Sequence, residues 1–390
     1  MGGTSSSSHP SSSAAALLSR KSAASAPSAS GGRSSDKDRG GDDGSYVRRA
    51  HHAGSWYESS PSDLDWELSG YLRDADGEGG GTEGGVTGRP RAVVSPHAGF
   101  RYSGPTAAYA YLALREALRE RGGGSASAEC EKGGNGENGS NGPSLSRPIG
   151  GVSTVVVLHP SHHVRLRGCA VSGASMLETP IANLPVDCDL RSELLGTGHF
   201  TVMERHVDEA EHSGEMQYPF IAKAIADAGA DSGDISSCRV LPIMVGALDT
   251  AQESHFGQIL APYLARPDIF TVISSDFCHW GRRFGYVPSR SEESGRCNEI
   301  ADFIEWLDRR GMDYIQSQAP GAFAEYLRRY SNTICGRHPI GVWLNAITTN
   351  RESETECLDV KFVRYAQSGR VKSFNDSSVS YASAVARVAA

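Results

Sequence analysis

Five short stretches of this chain gather residue types that bind metals or move protons. "VVVLHPSHHV" (155–164) ends a β-branched apolar run in His159, His162 and His163. "SPHAGFRYSG" (95–104) sets His97 just past a similar run, and "SSDFCHWG" (274–281) sets Asp276, Cys278 and His279 after a third. "NTICGRHPIGVWLNAI" (332–347) places Cys335 and His338 around the start of an apolar helix. "DEAEHSGEMQYPF" (208–220) places His212 and Glu215 one helical turn apart near another helix start.

As a chemical set, two neutral imidazoles with an anionic third donor suit a redox-capable late first-row metal. A carboxylate third donor gives the non-haem Fe(II) triad, whereas a thiolate shifts preference toward Cu(I). Cys335 lies at the positive end of a helix, which is expected to lower its thiol pKa and favour the thiolate. Asp276 and His279 suit the tasks of orienting a ligand or moving protons. Each residue also has a plain structural use: His159 before Pro160 makes a turn, His163 caps an exposed basic stretch, and Cys278 fills a buried gap. Three strand ends arriving with such residues argue for one shared site. There is no GxGxxG after a strand, no P-loop, no HExxH and no GxSxG to compete with it.

The elements that must position these residues alternate in type. Continuous apolar runs predict buried strands at 91–95, 152–158, 239–245 and 269–275, with another at 361–366. Amphipathic periodicity predicts helices at roughly 62–73, 105–120, 214–228, 250–264, 298–310, 320–330 and 338–349. Strands apolar on both sides belong to a sheet covered by helices on both faces. The expected fold is α/β, one large domain with a central, mostly buried sheet flanked by helices. Ligands of such sheets bind beyond the carboxyl ends of the strands, which is where the three histidine-bearing loops fall.

The totals limit the function classes. Of 390 residues only 38% are hydrophobic, and 45 are glycine, so flexible segments dilute the core. Residues 1–45 are Ser/Ala/Gly-rich and cannot bury enough surface to offset ordering, so they read as a disordered tail preceding a domain at 46–390. Residues 121–147 read as a disordered insertion and 77–88 as a shorter Gly-rich break. The opening MGGTSS fits a myristoylation signal with Gly2 as acceptor, and residues 1–35 carry Arg20, Lys21 and Arg33 without an acid, as transit peptides do. A net charge of −8 gives no field to draw nucleic acid, and no apolar stretch approaches the roughly 20 residues of a membrane span. Eight scattered cysteines with no CxxC pair point to reduced thiols, hence a cytoplasmic or nuclear location, and away from a zinc ribbon.

Eight motifs in order carry a family resemblance. "HHAGSWY" (51–57), "PHAGFRYSG" (96–104), "PSHHV" (160–164), "EHSGEMQYPF" (211–220), "PIMVGAL" (242–248), "SSDFCHWGRRFGY" (274–286), "NTICGRHPIGV" (332–342) and "DSSVSYAS" (376–383) resemble the Memo family, mediators of receptor-tyrosine-kinase-driven cell motility. The resemblance spans about residue 48 to the C-terminus and implies a fold similar to class III extradiol dioxygenases. It further implies one mononuclear copper or iron site with His97, His162 and Cys335 as ligands. Asp276 and His279 would stand beside that site as catalytic groups, and Trp56 and Tyr102 would line it, with His163 and His212 flanking. The family commonly has glycine where His159 stands here.

Three functions follow from the resemblance. The first is a metal-binding, redox-linked protein acting in signalling and motility. The second is an adaptor for phosphotyrosine peptides or receptor tails, with Arg101, Arg282, Arg283 and Arg337 as phosphate partners and the metal residues vestigial. The third is a working non-haem iron dioxygenase or oxidase, against which stands a thiol where a carboxylate ligand is expected.

Overall fold

The computed structural model describes residues 46–78, 88–119, 151–232, 238–288, 297 and 299–389. The expected tail at 1–45, including Gly2, and the expected insertion at 121–147 lie outside the described residues, as do 79–87 of the Gly-rich break.

The strands are β1 (Val47–Arg48), β2 (Pro90–Ser95), β3 (Thr154–Pro160), β4 (Cys169–Val171), β5 (Met176–Leu177), β6 (Leu184–Pro185), β7 (Phe200–Val202), β8 (Arg239–Val245), β9 (Ile269–Ser274), β10 (His279–Trp280), β11 (Leu358–Gln367) and β12 (Ser378–Val388). The helices are α1 (Pro61–Gly77), α2 (Phe100–Arg119), α3 (Cys188–Gly196), α4 (Arg205–Ala210), α5 (His212–Glu215), α6 (Tyr218–Ser232), α7 (Thr250–Leu264), α8 (Ile300–Gln316), α9 (Pro320–Tyr330) and α10 (Arg337–Glu352).

One large sheet runs in the order β10-β12-β2-β9-β3-β8-β4-β7, with β11 paired to β12, and β1-β5-β6 form a small second sheet. The centre, β2-β9-β3-β8, is parallel. These are the β-branched runs of the sequence, and every residue of β2, β3 and β9 is buried. Burial on both sides has a visible cause: α2, backed by α1 and α6, lies on β2 and β12, while α7 and α10 pack together on β3 and β9. The α7–α10 approach is close enough that a Cβ on Gly257 would stand 2.5 Å from Asn345 Cβ.

Register fixes where the loops emerge. Ser95 of β2 pairs with Ser274 of β9, and β3 pairs with β9 as far as Leu158–Ile273. His97 and Asp276 therefore leave adjacent strands at the same height, each two residues past a paired serine. The β3 strand continues two residues beyond the predicted end, pairing His159 and Pro160 with Met244 and Val245 of β8. His159 is thus a buried strand residue and not a turn. Helix α2 begins at Phe100, five residues before the predicted start at Pro105, because the amide of Ser103 already bonds the Gly99 carbonyl. That leaves only Pro96–Gly99 between strand and helix.

Candidate metal centre

His97 sits in this four-residue loop, 2% exposed. Its amide donates to Asp276 Oδ1 at 2.8 Å, tying the β2 loop to the β9 loop. Its Nδ1 lies 2.7 Å from Ser274 Oγ. That hydroxyl donates to the Ser213 carbonyl and receives Gln217 Nε2, so toward His97 it accepts. The imidazole is therefore protonated on Nδ1 and turns a lone pair on Nε2 into the site. Burial, with His162 and His212 nearby, holds the His97 pKa well below its ordinary value, leaving the neutral form that ligates metal.

His162 follows β3 and is held the same way. Its Nδ1 contacts Glu211 Oε1 at 2.8 Å and its amide donates to Glu211 Oε2 at 2.6 Å. A carboxylate only accepts, so Nδ1 carries the proton and Nε2 is free. Burial would raise the Glu211 carboxyl, but the hydrogen bond and charge interaction with His162 outweigh it and hold the group below the carboxylate range. Glu211 also accepts the Ser213 amide at 3.0 Å, capping the short helix α5 that begins with His212.

His212 stacks on His162, ring centroids 4.5 Å apart, and also packs against Trp56 at 4.5 Å. Burial first, then His162, pull its pKa down to about 3. One donor nitrogen each from His97, His162 and His212 lie within 4.8 Å of one another. Metal–nitrogen bonds of about 2.1 Å place three donors on one ion about 3.0–3.6 Å apart, so a pair at the far end of that range has to close by about 1 Å or more to share an ion.

Cys335 joins from the loop before α10. Its Sγ is 3.1 Å from His97 Nε2 and accepts the Asp276 amide at 3.2 Å. Gly336 makes this fit possible: a Cβ there would stand 2.3 Å from Ser275 Cβ and 2.5 Å from the Ser274 carbonyl oxygen. The expected lowering of the thiol pKa is not what the surroundings produce. Burial and the Asp276 charge push it well above the ordinary value, outweighing the hydrogen bonds from the Asp276 and Gly336 amides and the Arg337 charge. In these surroundings the thiol keeps its proton.

Of the remaining predicted residues, some adjoin these four and others do not. Asp276 is buried and accepts the His97 amide; burial raises its carboxyl against the pull of His279. His279 places Nδ1 2.9 Å from the Phe277 carbonyl and 3.0 Å from that of Thr333, where it donates, and its amide donates to Thr333 Oγ1. It ties the β9 loop to the Cys335 loop. His163 is exposed and meets His212 edge-on at 5.9 Å. Tyr102 stands exposed in the first turn of α2, outside the ring contacts of the histidine group among the described residues. His159 turns its Nδ1 to Ser213 Oγ and the Pro160 carbonyl, outside the trio.

Several groups that build the site gave little warning in the sequence. Glu211 precedes a histidine, which is the only hint of its role. Glu215, which the helical spacing paired with His212, turns away to Arg48, His52 and Tyr57. Arg48 is 1% exposed, salt-bridged to Asp208 and Glu215, and bonds the Glu211 carbonyl, pinning the segment that carries Glu211 and His212.

Fold and site together define an α/β protein with a histidine-rich cluster beside a cysteine at the carboxyl edge of its parallel strands. The family model for Memo-like proteins matches residues 48–121 and 147–385. The chain is 39% identical over 336 residues to the protein MEMO1 of Homo sapiens, covering 86% of this chain and 95% of that one. It is 40% identical to MEMO1 of Rattus norvegicus with the same coverage, and 38% identical over 342 residues to the memo-1 homolog of Caenorhabditis elegans, covering 88% and 83%. The chain belongs to the Memo-like family. A solved structure of an uncharacterized protein from Escherichia coli K12 covers 59% of this chain and 86% of that one, at 15% identity and a TM-score of 0.35.

Proposed function

We propose that this protein binds one copper or iron ion through His97, His162 and Cys335, with His212 as a fourth donor, and acts in redox-linked signalling. The observation that carries the reading is the convergence of three imidazole nitrogens within 4.8 Å, with the Cys335 sulfur 3.1 Å from one of them. A bound copper or iron ion would supply one-electron chemistry. The chain's own part is to present ligands. Ser274 and Glu211 fix both Nδ1 protons, Asp276 fixes the His97 backbone, and the Cys335 thiol gives up its proton on binding. The thiol also argues against ring cleavage, since a sulfur ligand beside an oxygen-activating iron is itself open to oxidation.

The test is metal content of the full chain, loaded anaerobically with Fe(II) or Cu(I). The expected result is about one ion per chain, with affinity reduced about tenfold or more in His97→Ala, His162→Ala and Cys335→Ala. A wild-type chain that retains neither metal would falsify the reading.

The phosphotyrosine-peptide adaptor is the second reading. Its support is that Arg101, Arg282, Arg283 and Arg337 are all exposed. It expects phosphopeptide binding that is lost on replacing these arginines while metal content is unchanged.

A further inference from the structure

We propose that His163, Glu211 and His212 form a second, outer cation position beside the inner cluster, suited to a divalent late first-row ion with nitrogen and oxygen ligands. One donor atom from each of the three lies within 4.8 Å of the other two. The group is graded toward solvent: Glu211 is 1% exposed at its floor, the His212 side chain 14%, and His163 is open to solvent at the mouth.

The charge balance points the same way. Arg48 serves as counter-ion for both Asp208 and Glu215, the buried carboxylates flanking this segment. Glu211 is as deeply buried, yet among the described residues its side-chain ion-pair contacts are only the imidazoles of His162 and His212. A buried carboxylate without a full positive partner is costly. It also retains acceptor capacity. Its two oxygens receive three hydrogens, from the His162 ring, the His162 amide and the Ser213 amide, out of about four lone-pair positions. The remaining position and the two imidazoles make a two-nitrogen, one-oxygen donor set. Such a set suits Zn(II), Co(II) or Fe(II) and lacks the sulfur that favours Cu(I).

This position shares His212 with the metal site proposed above but does not depend on Cys335, and the two are separated by their optical signatures. The experiment is an anaerobic Co(II) titration of the full chain. Sulfur-to-cobalt charge transfer reports Cys335, and ligand-field bands report any bound cobalt. In Cys335→Ala, cobalt binding without charge transfer is expected to persist. Adding His163→Ala to that variant is expected to weaken this binding about tenfold or more, since losing a direct donor exceeds losing a supporting partner. His163→Ala alone is expected to leave the charge-transfer band at full strength, and an exposed histidine is a safe substitution for folding. Cobalt binding in Cys335→Ala that is insensitive to His163, or absent, overturns the outer position. Absence of charge transfer in the wild type instead removes Cys335 from the inner site, whatever His163 does.

Discussion

At the scale of single residues, the site depends on groups that hold protons in fixed places. His97 and His162 present their Nε2 atoms because Ser274 and Glu211 occupy the Nδ1 side. His97, His162 and Cys335 were legible because strand ends and family motifs converge on them. His212 was legible only as a neighbour, since its nearness to the other two comes from Arg48 drawing the 208–215 segment inward across about 160 residues of sequence separation. The pKa of Cys335 was misread for a related reason: the helix end is a local feature, whereas the burial that overrides it is not. The Ser274 hydroxyl gives the sharpest test at this scale. Ser274→Ala leaves the His97 Nδ1–H without its partner and takes a partner from Gln217 and from the Ser213 carbonyl. The expected effect is a stability loss of about 1–3 kcal/mol and metal affinity lower by about 10–100-fold, as for other partners of metal-bound histidines. Denaturant unfolding and a competition titration measure the two. Unchanged affinity would mean that the serine is only packing.

At the scale of elements, the four parallel strands and the flanking helices followed from continuous and 3.6-residue patterns, with ends displaced by a few residues. Among the elements the patterns did not show is β12, which lies between β2 and β11 with every residue but its last buried. Its sequence, SVSYASAVARV, is rich in serine and alanine, so it lacks the bulky apolar signal of a central strand. Those small side chains are what let α2 lie against it, with Ser383 Oγ donating to the Thr106 carbonyl at 2.7 Å. Helices α3 and α4 were missed because they are short, with nine and six residues. The loop carrying Cys335 is closely held. Gly336 rests on the end of β9, its amide donating to Ser275 Oγ at 3.1 Å. A methyl group there meets backbone as well as side chain, so nothing nearby can rotate away. Gly336→Ala is expected to lift Cys335 off the site, at about 1–3 kcal/mol in stability and with loss of sulfur-to-metal charge transfer. Normal spectra together with a normal Tm would show that the close approach has no consequence.

At the scale of the whole molecule, one buried acid joins the sheet to the loops of the site and sets a pH dependence that can be isolated. Asp308 on α8 is 0% exposed. Its Oδ1 accepts the Cys278 amide at 3.2 Å and Asn332 Nδ2 at 2.9 Å, and its Oδ2 accepts the Tyr365 hydroxyl at 3.0 Å. It thereby clamps the β9 loop, the Cys335 loop and β11. Burial raises its pKa from 3.8 to about 6, against the lowering effect of these hydrogen bonds. Between those two values the unfolded chain has lost the proton and the folded chain keeps it. The group's contribution to stability is therefore largest below about pH 4 and declines as pH rises to about 6, by roughly 3 kcal/mol. Glu215 works in the opposite sense: burial would raise it, but bonds from His52 and the Arg48 charge bring it to about 2, so its stabilisation fades as pH falls below 4.5. Subtracting variant from wild type removes Glu215 and the histidines from the comparison. Asp308→Asn is therefore expected to erase only the decline between pH 4 and 6, whatever its effect on absolute stability. Urea unfolding of both proteins at pH 4, 5, 6 and 7 reads this directly. A wild-type-minus-variant difference that is flat across the window would mean that Asp308 is ionised in the folded state throughout, with the clamp acting as a charge and not as a proton holder.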